Sequence, residues 1–428
     1  PISTFALVSD IDKASWSEEL RLTTDFDSSL NGMLGLYYQT DEFNDGTRGA
    51  INPFDFPVLR STIDTESSSV FGQLRWDITD TVELSGGARY THETKEISGK
   101  IDGVGDVSHL FIPDTISFDN LSPELTLAWR PTDEFMLFGS YKEGFKSGGF
   151  QVNFTSIPGK LAAGVPSDLS YQEETVDGVE VGIKASLLDG DLRTNLTAYR
   201  FQYNDLQLSQ FNPTTVVTTI NNVGGSLAKG VEFDFVYAPH QIEGLSIRGG
   251  INHGTSEYDS FLAACYVGQT LSDGCNIDQT NDGIGDLQDL SGTTLPKAPK
   301  LTGNIGFSYE RPLGDSGLTL SFNTAANYTD ELLILQEAAP AGFMEDVWKI
   351  DASIILGSDN GGWELAFLGR NLTNEMRGQH GGQQSGTGDP STTGTAGPGV
   401  VSDLFANVTR PNEYRLQYTI WPSEFFNN

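Results

Sequence analysis

The connections constrain this chain more than any single motif does. Short turns (DFDSS, DITDT, RPTDE, LLDGD, PHQIEG, RPLGDSG and SDNGG) alternate strictly with long polar segments near 40–65, 94–119, 146–170, 209–225, 257–298, 329–345 and 371–410. The segments between them have a period of two, the signature of strands with chemically distinct faces. Val70, Leu74, Trp76 and Ile78 oppose Phe71, Gln73, Arg75 and Asp77; Leu121, Leu125, Leu127 and Trp129 oppose Ser122, Glu124, Thr126 and Arg130. In Phe135–Phe150, Phe135, Leu137, Gly139 and Tyr141 share one face before Gly144 and Gly148-Gly149 open into a long loop. About fifteen such strands run from end to end, with residues 1–14 showing no clear pattern.

A soluble sandwich or propeller also alternates, but it has no reason to gather every long connection at one end. A transmembrane antiparallel β-barrel does, with short periplasmic turns and long outer loops. The aromatic residues agree. Trp76, Trp129, Tyr237, Tyr309 and Trp363 lie on apolar rows beside short turns, and Tyr38, Tyr90, Tyr141 and Tyr328 beside long ones. That is the pattern of two interfacial girdles. Arg75, Arg89, Lys142, Arg193, Glu232 and Asp351 occupy the opposite rows. A cation on the lipid face costs about 2–4 kcal/mol near the midplane, so these rows are expected to face the lumen.

With 25 basic and 58 acidic residues, a net charge of −33, the chain lacks the basic footprint that nucleic acid requires. An 11% aromatic content and regular strands argue against disorder. The chain starts at Pro1 with neither a leader nor an initiator Met, which reads as a chain cut from something longer. Cys265 and Cys275, close together in one polar loop, are expected to form a local disulfide in an oxidising compartment.

Several segments, in order, resemble the barrel of TonB-dependent outer-membrane receptors. They are Ser17–Leu22 (SEELRL), Tyr141–Phe150 (YKEGFKSGGF), Glu174–Lys184 with Tyr203–Gln207, Gly230–Phe233 (GVEF), Pro296–Pro299 and Gly369–Asn374 (GRNLTN). The resemblance spans about residues 15 to 421 and rests on order and spacing, since each motif is short. It implies that residues 1–428 are one barrel domain, N-terminally incomplete against the family's barrel of about 22 strands, with the plug domain outside this chain. It also implies an outer-membrane location with lipid and lipopolysaccharide as surroundings, and energy from the inner-membrane TonB complex acting on the plug. The expected activity is active uptake of a scarce nutrient. A ferric siderophore is favoured; oligosaccharide and cobalamin-like ligands stay open, as does a passive porin or structural barrel.

No catalytic arrangement is visible. The five histidines are scattered, and neither a phosphate loop nor H-E-x-x-H occurs, so no enzyme activity and no obligatory cofactor are expected. The loops offer aromatic and cationic candidates for substrate contact: Phe150, Phe154, Tyr258, Phe261, Tyr266 and Phe405, with Arg48, Lys146 and Arg377. The run Asp278–Asp289 resembles a calcium loop, with oxygen donors at Asp278, Thr280, Asp282, Asp286 and Asp289 around Gly283; the alternative is a solvated acidic loop.

Overall fold

The computed structural model describes residues 5–51, 54–55, 59–151, 161, 164–212, 217–266, 269–278, 287–383 and 404–421. Fifteen long strands carry the fold: β1 (Phe5–Thr23), β2 (Leu30–Ile51), β3 (Leu59–Thr79), β4 (Val82–Ile101), β5 (Thr115–Thr132), β6 (Phe135–Lys146), β7 (Glu174–Leu187), β8 (Leu192–Asn212), β9 (Val217–Tyr237), β10 (Leu245–Tyr258), β11 (Leu301–Pro312), β12 (Leu318–Thr329), β13 (Val347–Ser358), β14 (Trp363–Arg370) and β15 (Glu413–Ile420). Each pairs antiparallel with the next in sequence, making one continuous meander. Among the described residues no pairing joins β1 to β15. Among the same residues no helix is long and apolar enough to cross a membrane.

Which face meets lipid follows from what is left exposed. Leu34, Leu74, Trp76, Leu125, Leu127, Val181, Ile251, Ile354 and Leu416 are large, apolar and all about half exposed or more. A soluble fold would bury a surface this continuous; a barrel turns it to hydrocarbon. The register keeps the rows consistent across strands. Leu34 faces Gly72, Leu74 faces Gly86 and Leu127 faces Gly139, while Arg75 pairs with Ser85 and Glu124 with Lys142 on the opposite face.

The strands are longer than the pattern predicts. β1 begins at Phe5, β2 runs to Ile51, β4 to Ile101, β8 to Asn212, and β9 starts at Val217. The expected loops 40–65 and 209–225 are therefore largely ladder, and 94–119 is ladder at both ends. Spanning hydrocarbon takes about 9–11 residues per strand, and β2 has 22. Above the membrane the outward row meets water, so it becomes Asp12, Glu42, Asn44 and Asp64. The backbone ladder continues without the apolar alternation that betrays it below.

The short-turn end is clipped by backbone contacts. Asp191, 5% exposed, ends the β7–β8 turn; its Oδ1 accepts the His240 backbone N–H at 3.0 Å and also pairs with the His240 ring. Its carbonyl takes the Ala238 N–H at 2.8 Å. A buried carboxylate is thus held by donors from the neighbouring turn, as burial requires.

Candidate ligand passage and outer-loop cover

The lumenal wall at membrane height is a polar lattice. Lys142 Nζ donates to Glu180 Oε2 at 3.1 Å, Gln73 Nε2 to Glu124 Oε1 at 3.0 Å, Asn195 Nδ2 to Asp234 Oδ1 at 2.8 Å and Asn252 Nδ2 to Glu232 Oε1 at 2.6 Å. Toward β10–β14 the wall opens into a recess of about 350 Å³ that includes Arg248, Asn323, Asp351, Ser353 and Arg370. Such a surface can exchange hydrogen bonds with a polar solute or with protein packed in the lumen.

Aromatic rings interrupt this lattice at defined places that the sequence reading missed. Phe71 lies over Gly35, Phe138 over Gly182 and Phe201 over Gly178, each on the lumenal row, where a Cβ on the glycine would come within 2.7 Å of the ring. The Arg89 guanidinium sits 5.0 Å from the Tyr37 centroid and 5.3 Å from that of Phe71; Lys184 lies 5.6 Å from Phe138. These are cation–π distances. The available signal was a ring in a polar row directly across from a glycine, and it needs the strand register to be read.

Higher up, the lumenal row turns apolar. Ile97 and Ile101 on β4, Leu59 on β3 and Ile116 on β5 continue the face that carries Arg89 lower down. Segment 102–114 and the described residues between 147 and 169 pack over them, bringing Val107, Leu110, Phe111, Phe150, Leu161 and Leu169 into one buried cluster. Ser167 N–H bonds to the Leu110 carbonyl at 2.9 Å, joining the two segments. Lys95 Nζ reaches the Gly148 carbonyl at 2.7 Å and Ser147 Oγ at 3.2 Å, tying the GFKSGGF break to the wall. At Gly148 a Cβ would fall 2.2 Å from the Tyr171 carbonyl, so the close approach needs glycine. Asp106 accepts the Ser108 N–H at 2.9 Å and its hydroxyl at 2.7 Å, which holds the Asp106 carboxyl below its usual range.

Two further apolar clusters form among the described outer-loop residues. Tyr258, Phe261, Ala263 and Leu290 pack with Leu206, Leu208 and Val223; Leu333, Ile334, Leu335 and Ala339 pack with Tyr266 and Met344. Gln288 links them, donating to the carbonyls of Ala264 (3.1 Å) and Glu337 (2.8 Å) and accepting from Gln269 at 2.9 Å. Burial, with Glu337 nearby, pushes the Tyr258 phenol up to about 12, and burial raises the Glu337 carboxyl.

Most of the described loop candidates are packed inside this cover. Phe150, Tyr258 and Phe261 are 6%, 3% and 2% exposed, so they brace loop against loop and present no open face to a ligand. Tyr258 and Phe261 hold their centroids 4.6 Å apart. Tyr266 leans on the third cluster. Arg377, 8% exposed, sends its guanidinium to the carbonyls of Thr329 (3.4 Å), Asp330 (2.7 Å) and Met344 (3.3 Å), and burial lowers its pKa from the usual value. Lys146 stays exposed at the mouth. Phe154 and the side chains of Arg48 and Phe405 lie outside the described residues.

Cys265 and Cys275 form the expected disulfide, with Cα atoms 5.6 Å apart. Of the calcium-loop donors, Thr280, Asp282 and Asp286 lie outside the described residues. Asp278 is partly buried, and Asp289 is engaged by the Ser291 N–H at 2.9 Å and hydroxyl at 2.5 Å. Among the described residues no group of three or more potential ligands is placed to hold a metal.

Known proteins share this architecture. A family model for the TonB dependent receptor-like β-barrel matches residues 4–372. A pesticin receptor of Yersinia enterocolitica is 24% identical over 224 residues, which is 51% of this chain and 30% of that protein. Among solved structures, the ferric yersiniabactin uptake receptor FyuA of Yersinia pestis superposes with a TM-score of 0.69 at 16% identity, covering 98% of this chain and 56% of that one. The ferric preacinetobactin receptor BauA of Acinetobacter baumannii gives 0.60 at 18% identity, covering 97% and 55%. The chain thus spans little more than half the length of these structures.

Proposed function

Because this chain belongs to the TonB-dependent receptor β-barrel family of outer-membrane receptors and transporters, we propose that it forms the wall and outer cover of an importer for a ferric siderophore. The observation that carries this reading is the cover itself. Lys95 ties segment 147–148 to the wall, and Gln288 and Arg377 tie their loops to the segment around residues 330–337, above a lumen lined with hydrogen-bonding groups; such a cover suits capture and staged release better than free diffusion. The uptake receptors among the structural neighbours, named for ferric siderophores, support the choice of substrate class.

In this reading a bulky chelate docks at the outer loops, the clusters part, and the solute passes along the polar wall. Arg89 between Tyr37 and Phe71 offers a cationic, aromatic-backed contact for an anionic chelate on that wall. The energy comes from the TonB complex acting through a plug in the lumen. A titration of the purified full-length receptor with a panel of ferric siderophores, followed by tryptophan fluorescence, is expected to find one that saturates with Kd below about 1 μM. Binding of a sugar or cobalamin instead would move the substrate class; no saturable ligand at all would favour a passive barrel.

A further inference from the structure

The outer tyrosine girdle is broken on one side of the wall, and basic residues occupy the gap. Tyr38 and Tyr90 each lie eight residues beyond the first residue of their strands, Leu30 and Val82. The same count on β8 and β10, from Leu192 and Leu245, reaches Arg200 and His253. Register confirms that these side chains point outward. Arg200 faces Val179, which faces Tyr141 on the lipid row, and His253 faces Val231. Between them, Lys229 on β9 is the direct cross-strand partner of Arg200.

The chemistry of the gap differs from the rest of the girdle. The tyrosines donate to carboxylates: Tyr38 to Glu66 at 2.9 Å, Tyr90 to Asp119 at 2.6 Å, Tyr141 to Glu143, and Tyr328 to Asp330 at 3.4 Å. Arg200, Lys229 and His253 are all exposed, and among the described residues none makes a side-chain hydrogen bond or ion pair. The nearest acids on this face stand further from the membrane, Asp177 one outward position beyond Val179 on β7 and Glu257 two beyond His253 on β10. Two cations directly opposite on adjacent strands repel, in a chain with a net charge of −33. Below them the outward row is apolar, with Leu196, Val231, Phe233 and Ile251 exposed.

We propose that Arg200, Lys229 and His253 form a binding site for the phosphate of a phosphorylated outer-leaflet lipid, whose acyl chains lie along the apolar row beneath. Arg200 supplies a planar fork for two phosphate oxygens and Lys229 a point charge, while His253 adds a ring N–H. The phosphate removes the Arg200–Lys229 repulsion, and the height of the site matches that of a lipid headgroup. The proposal rests on the barrel's outer-membrane setting and is independent of the imported substrate.

The test is native mass spectrometry of the full-length receptor in detergent. It is titrated with bis-phosphorylated lipid A, with the same lipid after phosphatase treatment, and with inorganic phosphate. The wild type is expected to retain lipid A, and R200Q/K229Q to bind it about tenfold or more weakly. The lumenal control R193Q is expected to match the wild type, and K229R to retain the lipid. Heat-modifiable gel mobility confirms folding of each variant; if the double variant does not fold, R200Q and K229Q separately carry the same expectation of weakened retention. Equal retention by wild type and neutralised variants overturns the proposal. So does equal binding of the phosphatase-treated lipid, or an effect seen with inorganic phosphate alone.

Discussion

At the scale of single residues, two side chains carry consequences that can be measured. Arg377 satisfies three backbone carbonyls from two segments, and hydrogen bonds to a charged group are worth roughly 1.5–3 kcal/mol in the aggregate balance. Arg377→Ala is expected to lower hydrogen-exchange protection across residues 329–346 by about 2 kcal/mol or more, and Arg377→Lys to restore only part, because an ammonium cannot reproduce the fork. Gly182→Val places a Cβ where the Phe138 ring atoms lie 2.5 and 2.6 Å away. The ring must swing into the lumen, at a cost of about 1–3 kcal/mol, read as a lower temperature for loss of heat-modifiable mobility. Neither role was legible beforehand. In the sequence Arg377 is a cationic candidate for substrate contact, and only three-dimensional packing shows that its partners are backbone carbonyls. The tyrosine girdles were legible because an amphipathic ring at the edge of an apolar row has one physical explanation.

At the scale of elements, legibility tracks the solvent. Where a strand crosses hydrocarbon, the outward row must be apolar and the inward row polar, so β3 to β6 stand out in the sequence. Above the membrane the outward row of β1 and β2 carries Asp10, Asp12, Glu42 and Asn44, and the pattern vanishes although the ladder does not. The loop clusters were hidden for a related reason. Their apolar residues are spaced by irregular backbone, and no period announces which will meet.

The cover also has a pH signature. Burial raises Glu337, so its folded value lies above that of the unfolded segment. The associated stability is fully present below the unfolded value of about 4.3 and is lost as pH rises through the folded one. Exchange protection of residues 332–344, corrected for intrinsic rates, is expected to fall as pH rises above about 4. Glu337→Gln flattens that slope and raises protection at neutral pH; an unchanged slope in the variant would remove Glu337 as its source. Reduction of Cys265–Cys275, which closes a sequence separation of 10, is expected to loosen the segment around it while leaving the sheet's melting unchanged, as seen by circular dichroism. The loop-closure effect for so short a ring is about 3 kcal/mol, and it acts on the loop's unfolded ensemble alone.

At the scale of the molecule, the exposed apolar rows place the wall in a bilayer, its opposite face is polar at membrane height, and three apolar clusters pack on the outer-loop side. Direction and energy source do not follow from a wall. In the reading proposed above they come from a TonB complex acting on a plug, and that makes the most direct test a transport experiment. Cells of an outer-membrane host lacking its own receptors, carrying the full-length gene, are given the iron-59-labelled siderophore that binds the purified protein. Uptake is expected to saturate and to stop when a protonophore collapses the proton-motive force. Uptake that rises linearly with concentration and ignores the protonophore would contradict active import.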